Sequence, residues 1–88
     1  MYKIQYHKKA VKEIEKLKMN KLDIKAKKLI DIIKENPYQN PPPYEKLTGD
    51  LKDYYSRRIN IQHRLVYQVI EKEKTIRILS MWTHYESI

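Results

Sequence analysis

All four prolines of the chain lie between positions 37 and 43, as Pro37 and then Pro41-Pro42-Pro43. No helix or central strand runs through such a segment. Proline has no N–H to donate, fixes φ, and pushes the residue before it out of the helical region. The chain must therefore change character here, and its hydrophobic pattern does. Before position 36, apolar residues follow one short alternating stretch and then a helical period. After position 43 they alternate as in strands. Residues 36–43 read as an extended connector, too short and too close to both halves to be an interdomain linker. A proline-motif ligand is the other reading of such a run.

On the first side, Tyr2, Ile4 and Tyr6 alternate with Lys3 and Gln5, which predicts a short half-buried strand. From about His7, the residues Ala10, Val11, Ile14, Leu17 and Lys18 recur at helical spacing and predict an amphipathic helix, interrupted at Met19-Asn20. A second helix is predicted from about Leu22 to Glu35, with Leu22, Ala26, Leu29, Ile30 and Ile33 as its apolar stripe and Asn36-Pro37 as its end. Its other face is rich in lysine, which reads as a solvated face that also attracts phosphates in a salt-sensitive way.

On the second side, Tyr44 to Leu47 predicts a short strand, and Thr48-Gly49-Asp50 a turn holding the only glycine. Strands follow at about 54–59, 64–70 and 75–82. The short connections Asn60-Ile61-Gln62 and Glu71-Lys72-Glu73-Lys74 make these three an antiparallel meander. The last is apolar on both faces and belongs in the middle of the sheet. The 88 residues are expected to form one domain, 1–88, of the α+β class. The order is β-α-α-β-β-β-β, with two N-terminal helices packed on one face of an antiparallel sheet.

With Asn60-Ile61-Gln62 as the loop, Ile59 pairs with His63 and Arg58 with Arg64. Tyr55, Ile59, Leu65, Tyr67 and Val69 then share a core face. Ser56, Arg58, Arg64, Val66 and Gln68 share the other. Two arginines directly across a ladder repel. A chain that keeps them there holds an anion such as a phosphate between guanidinium forks, or simply solvates both, or uses another register.

The charge of the chain bears on that choice. Nineteen Lys+Arg against 11 Asp+Glu leave a formal net charge of +8, which favours nucleic acid, an anionic membrane surface or an acidic protein as partner. There is no cysteine, hence no disulfide framework and no thiol chemistry. Neither a signal peptide nor a long apolar run is visible, so a cytoplasmic protein with no membrane attachment is expected. His7, His63 and His84 lack ligand spacing, one glycine cannot form a phosphate loop, and no nucleophile elbow surrounds Ser56 or Ser80. Neither metal nor cofactor is expected.

What remains is acid–base chemistry on a phosphate. RNA carries its own nucleophile, the 2′-hydroxyl. Cleavage without a metal needs a base for that hydroxyl, an acid for the leaving 5′-oxygen, and cations on the phosphorane. Arg58 and Arg64 supply cations. His84, just past the last strand, suits the acid, because a neighbouring phosphate favours its protonated form. Glu45, after the proline run, is an available base. Tyr85 is a stacking or orienting group. Each has a plainer reading: a tail histidine, a surface carboxylate, a terminal aromatic packed on the sheet. Spacing alone does not choose.

The series Tyr55-Ser56-Arg57-Arg58-Ile59, His63-Arg64-Leu65-Val66-Tyr67 and His84-Tyr85, preceded by Glu45-x-Leu47 and Leu51, resembles the YoeB/Txe branch of the RelE-type bacterial toxins. The likeness covers residues 44–85, and residues 1–43 by pattern. It implies a RelE-like fold and a ribosome-dependent endoribonuclease that cuts mRNA in the A site of the 70S ribosome. It also implies inhibition by a YefM-like antitoxin, for which the basic charge suits an acidic segment, and a homodimer. By this likeness Glu45 is the general base and His84 the general acid. Arg64 stabilises the transition state, Arg58 contacts phosphate, and Tyr85 positions the RNA. Thr48 stands where the family often has a basic residue, Tyr55 replaces a tryptophan, and Asp53 replaces a glycine. Glu86-Ser87-Ile88 extend past the His-Tyr pair. The competing readings are a non-catalytic gyrase-inhibiting toxin of the ParE type and a basic nucleic-acid-binding module. Glu45, His84 and Tyr85 together are what neither would need.

Overall fold

A computed structural model describes residues 1–49 and 53–82. The elements, in chain order, are β1 (Lys3–Tyr6), α1 (Lys8–Met19), α2 (Asp23–Glu35), β2 (Glu45–Lys46), β3 (Tyr54–Arg58), β4 (Arg64–Ile70), a 3-10 turn at Glu71–Glu73, and β5 (Thr75–Ser80). They form one five-stranded sheet in the order β1-β5-β4-β3-β2. The expected element order is present. From β2 to β5 the sheet is antiparallel as expected. β1, however, lies parallel to β5, with Lys3 opposite Thr75 and Tyr6 opposite Ile78, so the sheet is mixed. A parallel neighbour needs a long crossover, and here that crossover is the whole intervening chain.

The helices cover one face. Ala10 and Leu17 of α1, and Ala26, Leu29 and Ile33 of α2, pack with Tyr55, Leu65, Tyr67, Val69, Ile76 and Ile78 of the sheet. The α1 stripe differs from its expected membership in three positions. Val11 is 52% exposed and Lys18 is exposed too, while Glu13 is only 6% exposed. Glu13 lies one turn from both Ala10 and Leu17, so helical geometry puts it on the buried side. Its carboxylate is not left without partners there: the Met81 amide donates to it at 2.8 Å and the Ser80 hydroxyl at 3.3 Å. A buried carboxylate needs such donors to be tolerated.

Local chemistry explains where the helices begin and end. His7 caps α1, its Nδ1 accepting the Lys9 amide at 3.1 Å, and its own amide continues the β1 ladder to the Ile78 carbonyl at 2.8 Å. The helix closes with two bonds, Leu22 N–H to Leu17 C=O at 2.8 Å and Lys21 N–H to Lys18 C=O at 3.1 Å. This is a Schellman closure, and it requires a left-handed residue, here Lys21 at φ 58°. α2 stops at Asn36, whose backbone is already extended ahead of Pro37.

The register expected for β3 and β4 is the one found, with Arg58 opposite Arg64 and the Ile59 amide donating to the His63 carbonyl at 2.9 Å. Asn60 Oδ1 accepts the amides of Gln62 and His63, which tightens the loop. Between β4 and β5 the register slips: Val66 faces Ser80 and Tyr67 faces Ile78, leaving Leu79 as the extra residue of a bulge.

The connector turns rather than simply extends, with cis peptide bonds at Asn40-Pro41 and Pro41-Pro42. A guanidinium holds it. Arg57, fully buried, donates to the carbonyls of Pro37 (3.1 Å), Gln39 (2.8 Å) and Pro42 (2.6 Å), and to the Tyr67 hydroxyl (3.0 Å). That hydroxyl in turn donates to the Pro37 carbonyl at 2.8 Å. Burial pushes the Tyr67 phenol above its ordinary range, with Arg57 pulling the other way.

Candidate functional site

The face of the sheet away from the helices carries a cleft of about 310 Å³, lined by Pro43, Tyr44, Glu45, Ser56, Arg58 and Arg64. Strand pairing explains why these residues meet. Glu45 of β2 lies opposite Ser56 of β3, and Arg58 of β3 opposite Arg64 of β4. Side chains of a cross-strand pair project to the same face, and Ser56 and Arg58 are two apart on one strand. Three short strands thus deliver one carboxylate, one hydroxyl and two guanidinium groups to one place.

Arg64 is the hub. Its Nη2 meets Glu45 Oε1 at 2.9 Å and its Nη1 donates to Ser56 Oγ at 3.0 Å. The Arg64 side chain is 14% exposed and that of Glu45 52%, so the carboxylate opens to solvent while the cation sits below it. Arg58 is exposed, and among the described residues no carboxylate pairs with it. The Ile59–His63 bond makes that pair the hydrogen-bonded one, so Arg58 and Arg64 form the adjacent pair of the non-hydrogen-bonded type, in which side chains approach closest. Among the described residues, one arginine is neutralised by a carboxylate and the one beside it is not, which leaves a surplus positive charge facing the cleft. Such a site can take a phosphate, with the half-exposed Glu45 carboxylate beside it.

Of the five residues singled out from sequence, Glu45, Arg58 and Arg64 are brought together. His84 and Tyr85 lie outside the described residues. Trp82, two positions before His84, is stacked on His63 with ring centroids 3.9 Å apart, and its carbonyl is hydrogen-bonded to His63 Nδ1. The His63 ring thus anchors the segment just after β5. Ser56 and Tyr44 are members of the cleft that chemical reasoning on the sequence passed over. Alternation alone puts Ser56 on the Arg58 face. Tyr44 had no such signal. Its ring meets the Tyr55 ring edge-on at 5.7 Å and lies under the Arg57 guanidinium, 4.8 Å from its centroid. Tyr55, standing where the resemblance has tryptophan, is 8% exposed and packs against Tyr38, Tyr44 and Tyr67. Thr48 is exposed and does not line the cleft. Asp53, standing for a glycine, adopts the left-handed φ of 69° that glycine takes without strain.

Comparison with known proteins agrees with this architecture. Residues 2–85 match the family described as YoeB-like toxin of bacterial type II toxin-antitoxin system. Toxin YoeB of Synechocystis sp. is 38% identical over 58 residues, 66% of this chain and 65% of that toxin. Toxin RelK of Mycobacterium tuberculosis is 41% identical over 49 residues, 56% of this chain and 58% of that toxin. The chain thus spans less than two thirds of the length of these curated relatives. Among solved structures the fold is similar over nearly the full length. The YoeB/ParE toxin from Agrobacterium tumefaciens superposes with a TM-score of 0.85 at 27% identity, covering 94% of this chain and 99% of that one. The toxin in the heterotetrameric YoeB-YefM complex from Staphylococcus aureus gives 0.79 at 34% identity, covering 97% and 99%. A YoeB dimer from the same organism gives 0.78, also at 34%, covering 96% and 98%.

Proposed function

Because the chain belongs to the YoeB-like toxin family of bacterial type II toxin–antitoxin systems, we propose that it is a ribosome-dependent mRNA endoribonuclease that arrests translation. The observation that carries this reading is the convergence of Glu45, Arg64 and Arg58 in one cleft on the face opposite the helices. The 2′-oxygen attacks the adjacent phosphorus, and its proton passes to the Glu45 carboxylate. The bond from phosphorus to the 5′-oxygen breaks, and that oxygen takes a proton from His84. The products are a 2′,3′-cyclic phosphate and a 5′-hydroxyl. Arg64 and Arg58 balance the charge that builds on the phosphorane, and Tyr85 positions the nucleotide.

No metal enters this scheme, since two arginines and an acid–base pair supply what it requires. A carboxylate is a weak base for a hydroxyl. The rate must therefore come largely from alignment, and the 70S ribosome supplies that by presenting the mRNA for in-line attack. The net charge of +8 suits an acidic antitoxin of the YefM kind, whose disordered segment orders on the basic toxin. The toxin acts in the cytoplasm, as a homodimer when free. No described helix is long and apolar enough to cross a membrane.

End-mapping of an mRNA in a reconstituted translation system tests the assignment. Cuts are expected only with ribosomes, with none on free RNA in a separate control containing EDTA, and are expected to disappear in His84→Ala and Arg64→Ala with the fold retained. Near-normal cutting by either variant refutes the roles given to them. No cuts by the folded wild-type protein would refute the nuclease and make gyrase inhibition the next assay.

A further inference from the structure

We propose that Arg57 is a positioning residue for the cleft: it clamps the proline connector through its carbonyl oxygens and so fixes Glu45 against Arg64. The inference rests on the nuclease reading for its catalytic consequence, but not for its structural one.

Proline brings an acceptor and no donor. Three consecutive prolines cannot zip into a sheet through their amides, so a segment built from them can be held firmly only through its C=O groups. Arginine is the complementary partner, with five N–H donors in a fixed fork and no acceptor. Arg57 uses the fork in this way, reaching Pro37, Gln39 and Pro42. Among the described residues it also meets the Tyr67 hydroxyl and the Tyr44 ring. Among the described residues no carboxylate pairs with it, so connector carbonyls and an aromatic face take the place of a counter-ion for a fully buried charge.

The clamp acts immediately upstream of Glu45. β2 is only two residues long, and its register is carried by two pairings with β3 and by the Leu47 amide, which donates to the Tyr54 carbonyl at 2.9 Å. So short an edge strand does not set its own position. The anchored connector sets it from one side, and the Arg64 contact from the other. Arg57 and Arg58 thus divide the work of two adjacent arginines between the faces of β3: one holds the wall of the cleft from behind, the other faces the phosphate.

A double-mutant cycle on programmed ribosomes tests the catalytic consequence. Arg57→Lys keeps the charge, but a single ammonium cannot span three carbonyls. It is expected to slow single-turnover cleavage about 10–100-fold, with the ribosome concentration at half-maximal rate unchanged. In a Glu45→Ala background the same substitution is expected to change the residual rate less than about two-fold, since positioning of an absent group no longer matters. Equal slowing in both backgrounds would overturn the proposal.

Amide hydrogen exchange gives a readout independent of activity. Arg57→Lys should accelerate exchange at Glu45 and Leu47 at least about ten-fold while leaving Ile33 and Leu65 protected. Unchanged protection at Glu45 and Leu47 overturns the clamp, even if the wild-type protein proves to be no nuclease. If Arg57→Lys does not fold, Tyr67→Phe, which removes the hydroxyl shared by Arg57 and Pro37, is read in the same way.

Discussion

Arg58→Thr should make the protein more stable and less active. Arg58 sits directly across the ladder from Arg64, in the closer of the two pair types, with Cα atoms about 4.5 Å apart. Like charges so placed cost about 0.2–1 kcal/mol. Two corrections reduce this figure. Arg64 already pairs with Glu45 at 2.9 Å, and Arg58 is exposed, so water screens much of the repulsion. A threonine fits a strand well, and an exposed arginine leaves little packing behind. The net expectation is a gain of about 0.5 kcal/mol, or about 2–4 °C in Tm for a domain of this size. Urea denaturation at two ionic strengths measures it. The gain should shrink markedly between about 0.1 and 1 M salt, as the screening length falls from about 10 to about 3 Å. Cleavage should fall about 10–100-fold, the cost of one charged hydrogen bond to phosphate. A loss of stability above about 0.5 kcal/mol, or a gain indifferent to salt, would refute the view that this arginine is retained for an anion against the interest of the fold.

Three further predictions concern the scaffold. Tyr67→Phe orphans the Arg57 Nε–H and leaves the Pro37 carbonyl to the Arg57 Nη2 alone, and should cost about 1–3 kcal/mol in urea unfolding, whereas Tyr44→Phe should stay within about 0.5 kcal/mol. Lys21→Gly removes a left-handed lysine from the Schellman closure, and should raise stability by about 0.5–1 kcal/mol, read as a higher Tm. Glu71 accepts the Tyr38 hydroxyl above all, then Tyr2 and Lys74, which holds its carboxyl below the ordinary 4.5. Its folded value is depressed, so the stabilisation is present above pH 4.5 and is lost as pH falls through the lowered value. Glu71→Gln should flatten that part of the acid-unfolding curve, and an unchanged curve would contradict the network.

Much of the architecture is legible in the sequence because alternation and helical spacing report local geometry. The Arg58–Arg64 register followed from a three-residue loop and the placement of Ile59 on the core face. Partner choice was not legible. Nothing in Tyr2-Lys3-Ile4-Gln5-Tyr6 says that its neighbour is β5, or that the pairing is parallel, because that is decided by where α1 packs. Two buried charges were hidden by their chemistry rather than by their position. Arg57 alternates with Tyr55 and Ile59 on the core face, and Glu13 lies on the α1 stripe. Residue type argues for solvent in both cases, and only the sheaf of carbonyls around one and the two donors on the other reverse that. The prolines held the clue to Arg57, since a segment rich in acceptors and poor in donors must find donors elsewhere.

The pairing of β1 with β5 has a consequence for the order in which the molecule can be assembled. Ribosomes make Lys3–Tyr6 early, yet that strand has no ladder to join until Thr75–Ser80 has been synthesised and released. α1, which packs chiefly on β5, waits with it. The three strands that carry the cleft are neighbours in sequence as well as in space, and loop closure between them is cheap. A nascent chain can therefore zip β2, β3 and β4 while its opening strand is still exposed, and it becomes a sealed sheet only when the last strand slides between the first and the fourth.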